Sequence, residues 1–291
     1  MNEASMNEAS RWRLDMAQGL APAYADHPGV RAVEVGGSVS RGCADRFSDI
    51  EIGVFWAGSP SEAARREAAE RAGGREYRAY EFGNEEWSEE YTLRGVKIDV
   101  SHRLTASMEG WLADVVERHE TAEVKQNLIS AIRYAVPLHG SSLLAQWRAK
   151  ADGYPAELAE AVVRENLMLG PHQWLEMLAE RGSLIELYGF LRVVEKRLIG
   201  MLMGLNRMYH PGFKWLDRMA ASLPLAPPDL GGRLRRVFRQ EPQEGVREAR
   251  ALIDETYALI EAMMPQLDTA PARARLTQSR RTWEGPPPSD G

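Results

Sequence analysis

The sequence lacks the features that define several protein classes. It has one cysteine, Cys43, so no disulfide can form within the chain and we expect a reducing compartment. No run of about 18 apolar residues is present, and the start MNEASMNEASRWRLD has no hydrophobic signal core. These absences predict a cytoplasmic protein that does not interact with membranes.

A surplus of basic residues is also missing. The chain has 36 Lys and Arg against 42 Asp and Glu, a net charge of -6 and a pI near 5.7. Proteins that hold long nucleic acids usually carry a basic surplus, so we expect smaller substrates. The six histidines show no pair with zinc-ligand spacing.

Strand patterns are frequent early in the sequence and almost absent after Leu104. Short apolar or alternating segments predict strands at Val30 to Val35, at Ser48 to Trp56 and three times between Arg75 and Arg103. The sequence therefore predicts an α+β protein whose N-terminal domain, residues 1–104, is built on a mixed β-sheet.

The rest of the chain has the periodicity of helices. The clearest apolar stripe runs from Ser183 to Asn206, and a second long helix is predicted from Ala156 to Arg181 with a kink at Gly170-Pro171. Residues 105–267 are expected to form a C-terminal helical domain. The proline- and arginine-rich residues 268–291 are expected to be a disordered tail.

One stretch, VEVGGSVSRGCADRFSDIEIGVF from Val33 to Phe55, suggests chemistry. Asp49 and Glu51 are two residues apart on a predicted strand, so their side chains point to the same face. Asp99, in the later strand VKIDV, is a candidate third carboxylate. Two or three carboxylates are enough to hold magnesium together with phosphate oxygens and water.

The turn before Asp49 suits a triphosphate. Gly36 and Gly37 have no Cβ, so a phosphate can approach the backbone closely, and the Ser38 hydroxyl is a nearby donor. Arg41 follows three residues later and can add positive charge. Cys43 lies in the same loop, where we expect a small buried side chain instead of a nucleophile.

In order and spacing these residues resemble the signature of the nucleotidyltransferase superfamily that includes polymerase β and the antibiotic nucleotidyltransferases. An apolar residue, Gly-Gly-Ser, a spacer of ten residues, Asp-Ile-Glu and a later Asp follow one another over roughly residues 30 to 103. The resemblance implies that Asp49, Glu51 and Asp99 bind two Mg²⁺ ions, with ATP or another nucleoside triphosphate as co-substrate. It implies transfer of a nucleoside monophosphate, AMP in the first instance, to a hydroxyl group with release of pyrophosphate.

The second half is similar in layout to the helical domain of kanamycin-type nucleotidyltransferases. That family has a Glu as general base and a Lys one turn later. An ungapped match places Met168 at the position of the base and His172 at the position of the Lys. The nearest acid in this chain is Glu165. Asp99, Glu165 and His172 are therefore all candidates for the base. Lys214 is a further candidate phosphate contact. We expect the acceptor to be a small hydroxylated molecule such as an aminoglycoside-like antibiotic or a natural-product intermediate. We also expect a homodimer, because such enzymes are often dimers.

Two other functions fit the sequence. The chain could transfer a nucleotide to a macromolecule, either a tRNA end or a protein side chain. It could also be a nucleotide-binding regulator without catalysis, although the presence of all three carboxylates weighs against that reading.

Overall fold

A computed structural model of the chain describes residues 6–83, 85–212, 214 and 216–280. The chain divides into two compact units. One contains Met1–Tyr154 with Tyr209–Pro211 and is here called the sheet unit; the other contains Pro155–Met208 with Gly212–Gly291 and is called the helical unit.

The sheet unit alternates helices and strands. In chain order these are α1 (Glu8–Ala25), β1 (Val30–Val35), α2 (Gly37–Ser40), β2 (Ile50–Trp56), α3 (Glu62–Arg71), β3 (Arg75–Gly83), β4 (Glu86–Leu93), β5 (Val96–Leu104), α4 (Thr105–Val116), α5 (Glu123–Tyr134), β6 (Val136–His139) and α6 (Ser141–Asp152).

The six strands form one sheet in the order β3-β4-β5-β2-β1-β6. Strands β2 and β5 are parallel, and every other neighbouring pair is antiparallel. The predicted mixed sheet is thus confirmed. The expectation that strands end at Leu104 was wrong in one respect, because β6 pairs with β1. With four residues, one of them Pro137, β6 is too short to show a periodic pattern.

Alternation along the strands gives the sheet two different faces. The face here called the core face carries Ile50, Ile52, Ile98 and Val100, which belong to a buried cluster with residues of α1 and α3. The opposite face, here called the site face, carries Glu51 and the other residues that alternate with the core positions. Burial of the core face fixes the strand register and with it the positions on the site face.

Helices α4 to α6 belong to the sheet unit, so the structure divides the chain after Tyr154. The change of composition in the sequence places the boundary loosely between Leu104 and Tyr154, and the division lies at the C-terminal end of that range. The side chains explain this grouping. Phe55 of β2 and Trp147 of α6 meet edge to face with ring centroids 4.8 Å apart, and both are buried. A change from strand to helix composition therefore does not coincide with the end of this compact unit.

The helical unit consists of α7 (Ala156–Asn166), α8 (His172–Glu180), α9 (Leu184–Leu205), α10 (Leu216–Ser222), α11 (Leu230–Arg239), α12 (Pro242–Met263) and α13 (Ala270–Leu276). The single kinked helix expected from Ala156 to Arg181 is two helices, since α7 ends at Asn166 and α8 begins at His172, directly after Gly170-Pro171. Helix α13 lies within the segment expected to be disordered, and the rest of that expectation, 281–291, lies outside the described residues. No helix in the described part of the chain is long and apolar enough to cross a membrane.

Candidate active site

The register of the two parallel strands brings two of the predicted carboxylates together. Glu51 of β2 and Asp99 of β5 are direct Cα partners in the ladder. Partner residues on neighbouring strands point to the same face, so both carboxylates lie side by side on the site face. Asp49 directly precedes β2 and is half-buried, like Glu51. The sheet thus joins residues that are 48 positions apart in sequence (99 minus 51).

The glycine turn lies against the same carboxylate. The backbone N–H of Gly36 donates to the Glu51 carbonyl at 2.9 Å. Gly37 has a φ of +59°, and a Cβ built on it would stand 2.5 Å from the carboxyl carbon of Glu51. Any other residue at position 37 would therefore be strained in its backbone and would collide with the carboxylate. The requirement for glycine is specific to this position, since a Cβ at Gly36 would have no neighbour within 4 Å.

The turn also presents hydrogen-bond donors. Within the described residues, the backbone N–H groups of Gly37 and Ser38 and the Ser38 hydroxyl have no hydrogen-bond acceptor. The Ser38 carbonyl accepts from the N–H of Cys43 at 2.9 Å, which holds the loop closed. Cys43 itself is buried. The donors of this turn are thus available to an anion next to Glu51.

Arg41 is held beside the turn by helix α5. Its Nη2 donates to the Ser130 hydroxyl at 3.4 Å, and its guanidinium lies 4.4 Å from the ring centre of Tyr134. Burial lowers the pKa of Arg41 from its ordinary value, while the nearby Tyr134, Cys43 and Glu51 oppose that shift. The group stays cationic at neutral pH and is positioned before any ligand arrives.

Asp99 has a basic neighbour on its own strand. Lys97 Nζ lies 3.3 Å from Asp99 Oδ2 and 2.9 Å from Glu90 Oε2. Glu90, the partner of Asp99 on β4, also accepts from Arg78 and Tyr80. Because its oxygens are engaged by these donors, Glu90 is a less suitable metal ligand than Asp99 although it shares the same face.

The donor set fits magnesium only in part. Carboxylate oxygens are the ligands that Mg²⁺ prefers, and Glu51 and Asp99 supply them from adjacent positions. In the part of the chain that the structure describes, no three His, Cys, Asp or Glu side chains form a group that could hold a metal ion. The residues therefore suit an ion that completes its coordination with phosphate oxygens and water.

A further carboxyl group, Glu34, lies on the site face and was missed in the sequence. It is 6% exposed, and it is the Cα partner of Gly53, two residues from Glu51. Burial raises its pKa to about 7, although Arg148 and Arg103 act in the opposite direction. Its Oε2 is buried and has no hydrogen-bond partner among the described residues. The signal in the sequence is a lone Glu inside a buried apolar strand, VEV, directly before the glycines.

The other predicted site residues belong to the helical unit. Glu165 and Lys214 have exposed side chains, and the Glu165 carbonyl accepts from Arg197 at 3.2 Å. His172 begins α8 and is buried, and its Nδ1 has no partner among the described residues. Its pKa is lowered, first by burial and then by Arg250, so the imidazole is neutral at neutral pH. Their roles in the expected reaction stay predictions.

Parts of the chain resemble proteins already described. A domain family of unknown function, DUF4037, matches residues 122–216. A search of curated proteins finds no match. Among solved structures, the chain is similar to a nucleotidyltransferase-like protein from Exiguobacterium sibiricum 255-15, with 11% identity and a TM-score of 0.39 over 85% of this chain and 75% of that one. Asp49, Glu51 and Asp99 lie outside the family match.

Proposed function

We propose that the protein is a magnesium-dependent nucleotidyltransferase that moves a nucleoside monophosphate, AMP from ATP in the first instance, to a hydroxyl group of a small molecule. The observation that carries this proposal is the pairing of Glu51 with Asp99 directly beside the Gly36-Gly37-Ser38 turn. An adjacent pair of carboxylates and a donor-rich glycine turn are the two parts that binding of a metal-bound triphosphate requires.

Each part of the site has a role in the proposed reaction. Glu51 and Asp99 would hold Mg²⁺ together with phosphate oxygens and water, and Asp49, directly before β2, is the third proposed ligand. The resemblance in sequence implies two such ions, which when bound would neutralise phosphate charge. Gly36, Gly37 and Ser38 bind the phosphates through the backbone and the serine hydroxyl, with Arg41 as a fixed cation.

The reaction is an exchange at the α-phosphorus of the nucleotide. The acceptor oxygen forms a bond to this phosphorus, the bond to the bridging oxygen breaks, and pyrophosphate leaves with that electron pair. The acceptor hydroxyl gives its proton to a base, and Asp99 is the candidate that the sheet unit itself supplies. Glu165 and His172 of the helical unit are the other candidates, and Lys214 is proposed as a phosphate contact.

The acceptor is proposed to be a small hydroxylated compound, with aminoglycoside-like antibiotics the first class to test. The layout of the helical unit, which resembles that of the kanamycin-type enzymes in sequence, supports this choice. A homodimeric state is proposed on the same resemblance, and a cytoplasmic location is proposed on the single cysteine of the sequence.

The proposal is tested by the product. The purified protein is incubated with Mg²⁺, each labelled nucleoside triphosphate and a panel of hydroxylated compounds, and the products are weighed by mass spectrometry. We expect one acceptor to gain the mass of a nucleoside monophosphate while pyrophosphate is released. The Asp49→Asn variant should lose this activity and Asp15→Asn, a change at an exposed position on α1, should retain it.

Two results would contradict the proposal. Full metal-dependent pyrophosphate release by Asp49→Asn would remove the carboxylates from the mechanism. Label transferred only to tRNA or protein, with no small acceptor modified, would show nucleotidylation of a macromolecule instead.

A further inference from the structure

The helical unit contains a cavity of about 510 Å³, and none of the residues assigned to the proposed reaction lines it. Its walls come from residues 168–171 before α8, from α8 and α9, and from the end of α13 with the residues that follow it. Cavities of this size in proteins commonly hold small organic ligands. All of the lining residues belong to the helical unit, so the cavity is a feature of that unit alone.

One wall is apolar and open to solvent. Met168, Trp174, Phe190 and Val193 all line the cavity and are between 41% and 50% exposed. Trp174 and Phe190 meet edge to face, with ring centroids 5.2 Å apart and an angle of 82°. A cluster of solvent-exposed aromatic and aliphatic side chains costs free energy unless a ligand covers it, and such clusters mark binding sites.

The other side of the cavity is cationic. Arg197, Arg275 and Arg280 line it, and among the residues that the structure describes no Asp or Glu is part of the lining. Arg197 donates to a backbone carbonyl, and Arg275 donates to the Gln278 side chain at 2.7 Å. None of these three arginines forms an ion pair within the described residues.

Arginines just outside the cavity are arranged differently. Arg250 is paired with Glu176, and Arg273 with Asp254 and Glu261. Arg250 and Arg273 are thus neutralised, while the three arginines that line the apolar cavity have no counter-ion among the described residues. This charge pattern is complementary to an anion.

The segment after α13 is fixed in place as part of the wall. The Gln173 side-chain amide donates to the Arg280 carbonyl at 2.9 Å, and its oxygen accepts from the Arg280 N–H at 2.6 Å. This double contact mimics a strand pair and positions the backbone of Arg280 at the edge of the cavity. Residues 278 to 280 are thus built into the cavity wall.

We propose that this cavity binds a small amphipathic anion, with an aromatic or short acyl body against Trp174 and Phe190 and a terminal carboxylate or phosphate facing Arg197, Arg275 and Arg280. Arginine is well suited to both anions because its planar group donates two parallel hydrogen bonds. This inference is independent of the proposed transfer reaction, since it uses none of the residues assigned to that reaction.

The proposal is tested with two fluorescent probes of similar shape and different charge. The anionic probe is 1-anilinonaphthalene-8-sulfonate, and the uncharged probe is N-phenyl-1-naphthylamine. We expect the full chain to bind the anion at one saturable site. Arg197→Gln and Arg275→Gln should each weaken that binding by about tenfold or more, as expected for loss of a charge-assisted hydrogen bond, and should leave binding of the neutral probe unchanged.

Control variants separate the cavity from the general surface. Trp174→Ala should weaken both probes, and Trp174→Phe provides a smaller change if the alanine variant does not fold. Arg247→Gln, at an exposed arginine of α12 paired with Glu244, should bind both probes like the wild type. Displacement by octanoate, by octyl phosphate and by octanol then identifies the anionic group, and octanol should be the weakest competitor.

Three results would overturn the proposal. These are the absence of a saturable site for the anionic probe, equal binding of that probe by the Arg→Gln variants and the wild type, and displacement by octanol as effective as displacement by the two anions.

Discussion

The buried carboxyl group of Glu34 gives the most quantitative prediction. A Cβ built on Gly53 would stand 3.0 Å from the Cγ of Glu34 and 3.0 Å from its Oε1. The absence of a side chain at Gly53 therefore makes room for Glu34. Burial raises the pKa of Glu34 from 4.5 to about 7 in the folded chain, even with Arg148 and Arg103 nearby. The folded protein therefore keeps a proton that the unfolded chain releases.

The direction of the pH dependence follows from this proton. Below about pH 4.5 both states are protonated, and the group has no effect on relative stability. As the pH rises from about 4.5 through 7, the unfolded state binds fewer protons than the folded state, so stability falls. This difference in pKa between the folded and the unfolded chain lowers the free energy of unfolding by about 3 kcal/mol at pH 8.

The Glu34→Gln variant removes the titration and keeps the size of the side chain. Because glutamine resembles the protonated acid, the variant should not lose stability through this titration. Its free energy of unfolding relative to that of the wild type should therefore rise by about 3 kcal/mol between pH 4.5 and pH 8. Urea unfolding at both pH values, followed by tryptophan fluorescence, measures this change. Glu67→Gln, at an exposed position on α3, is the matched control and should show the pH dependence of the wild type. An equal pH dependence in Glu34→Gln and in the wild type would refute the reasoning.

Two further predictions concern the glycine turn and the fixed cation. Gly37→Ala should lower the free energy of unfolding by at least about 1 kcal/mol because of the positive φ at this position. It should also weaken nucleotide binding because the new Cβ displaces Glu51. Gly36→Ala should match the wild type in thermal unfolding, and equal unfolding of the two variants would contradict the geometry. Arg41→Ala should raise the dissociation constant of Mg²⁺-ATP by roughly tenfold to a hundredfold in calorimetric titration. Arg46→Ala, at an exposed position in the same loop, should leave that constant unchanged. Equal affinities of the two variants for Mg²⁺-ATP would remove Arg41 from the site.

The parts of the fold that the sequence predicts are those with strong periodic patterns. The alternation in VKIDV predicts both a strand and the face on which Asp99 lies, and the structure places β5 there. The short strand β6 has no such pattern, and its position depends on pairing with β1. The division after Tyr154 depends on packing such as the contact of Phe55 with Trp147, which no local pattern reveals.

The candidate site shows the same limit. The spacing of the glycines and of Asp49 and Glu51 suggests the proposed chemistry, but the partnership of Glu51 with Asp99 exists only because β2 and β5 are parallel neighbours. The support of Arg41 by Ser130 and Tyr134 also connects distant parts of the chain. These contacts follow from tertiary packing. The sequence alone therefore predicted the three carboxylates and Arg41, but it showed neither which of them meet nor that Glu34, Ser130 and Tyr134 lie beside them.

Binding of a metal-nucleotide complex tests the central claim most directly, because it needs no knowledge of the acceptor. Free Mn²⁺ is measured by electron paramagnetic resonance while the protein is titrated with and without α,β-methylene-ATP. The account predicts Mn²⁺ binding that depends on the nucleotide and that is weakened at least about tenfold in Asp99→Asn. Binding should be unchanged in Glu90→Gln, because the Glu90 carboxylate lies on the same face but is engaged by Lys97 and its other donors. Nucleotide-dependent Mn²⁺ binding that is as tight in Asp99→Asn as in the wild type would contradict it.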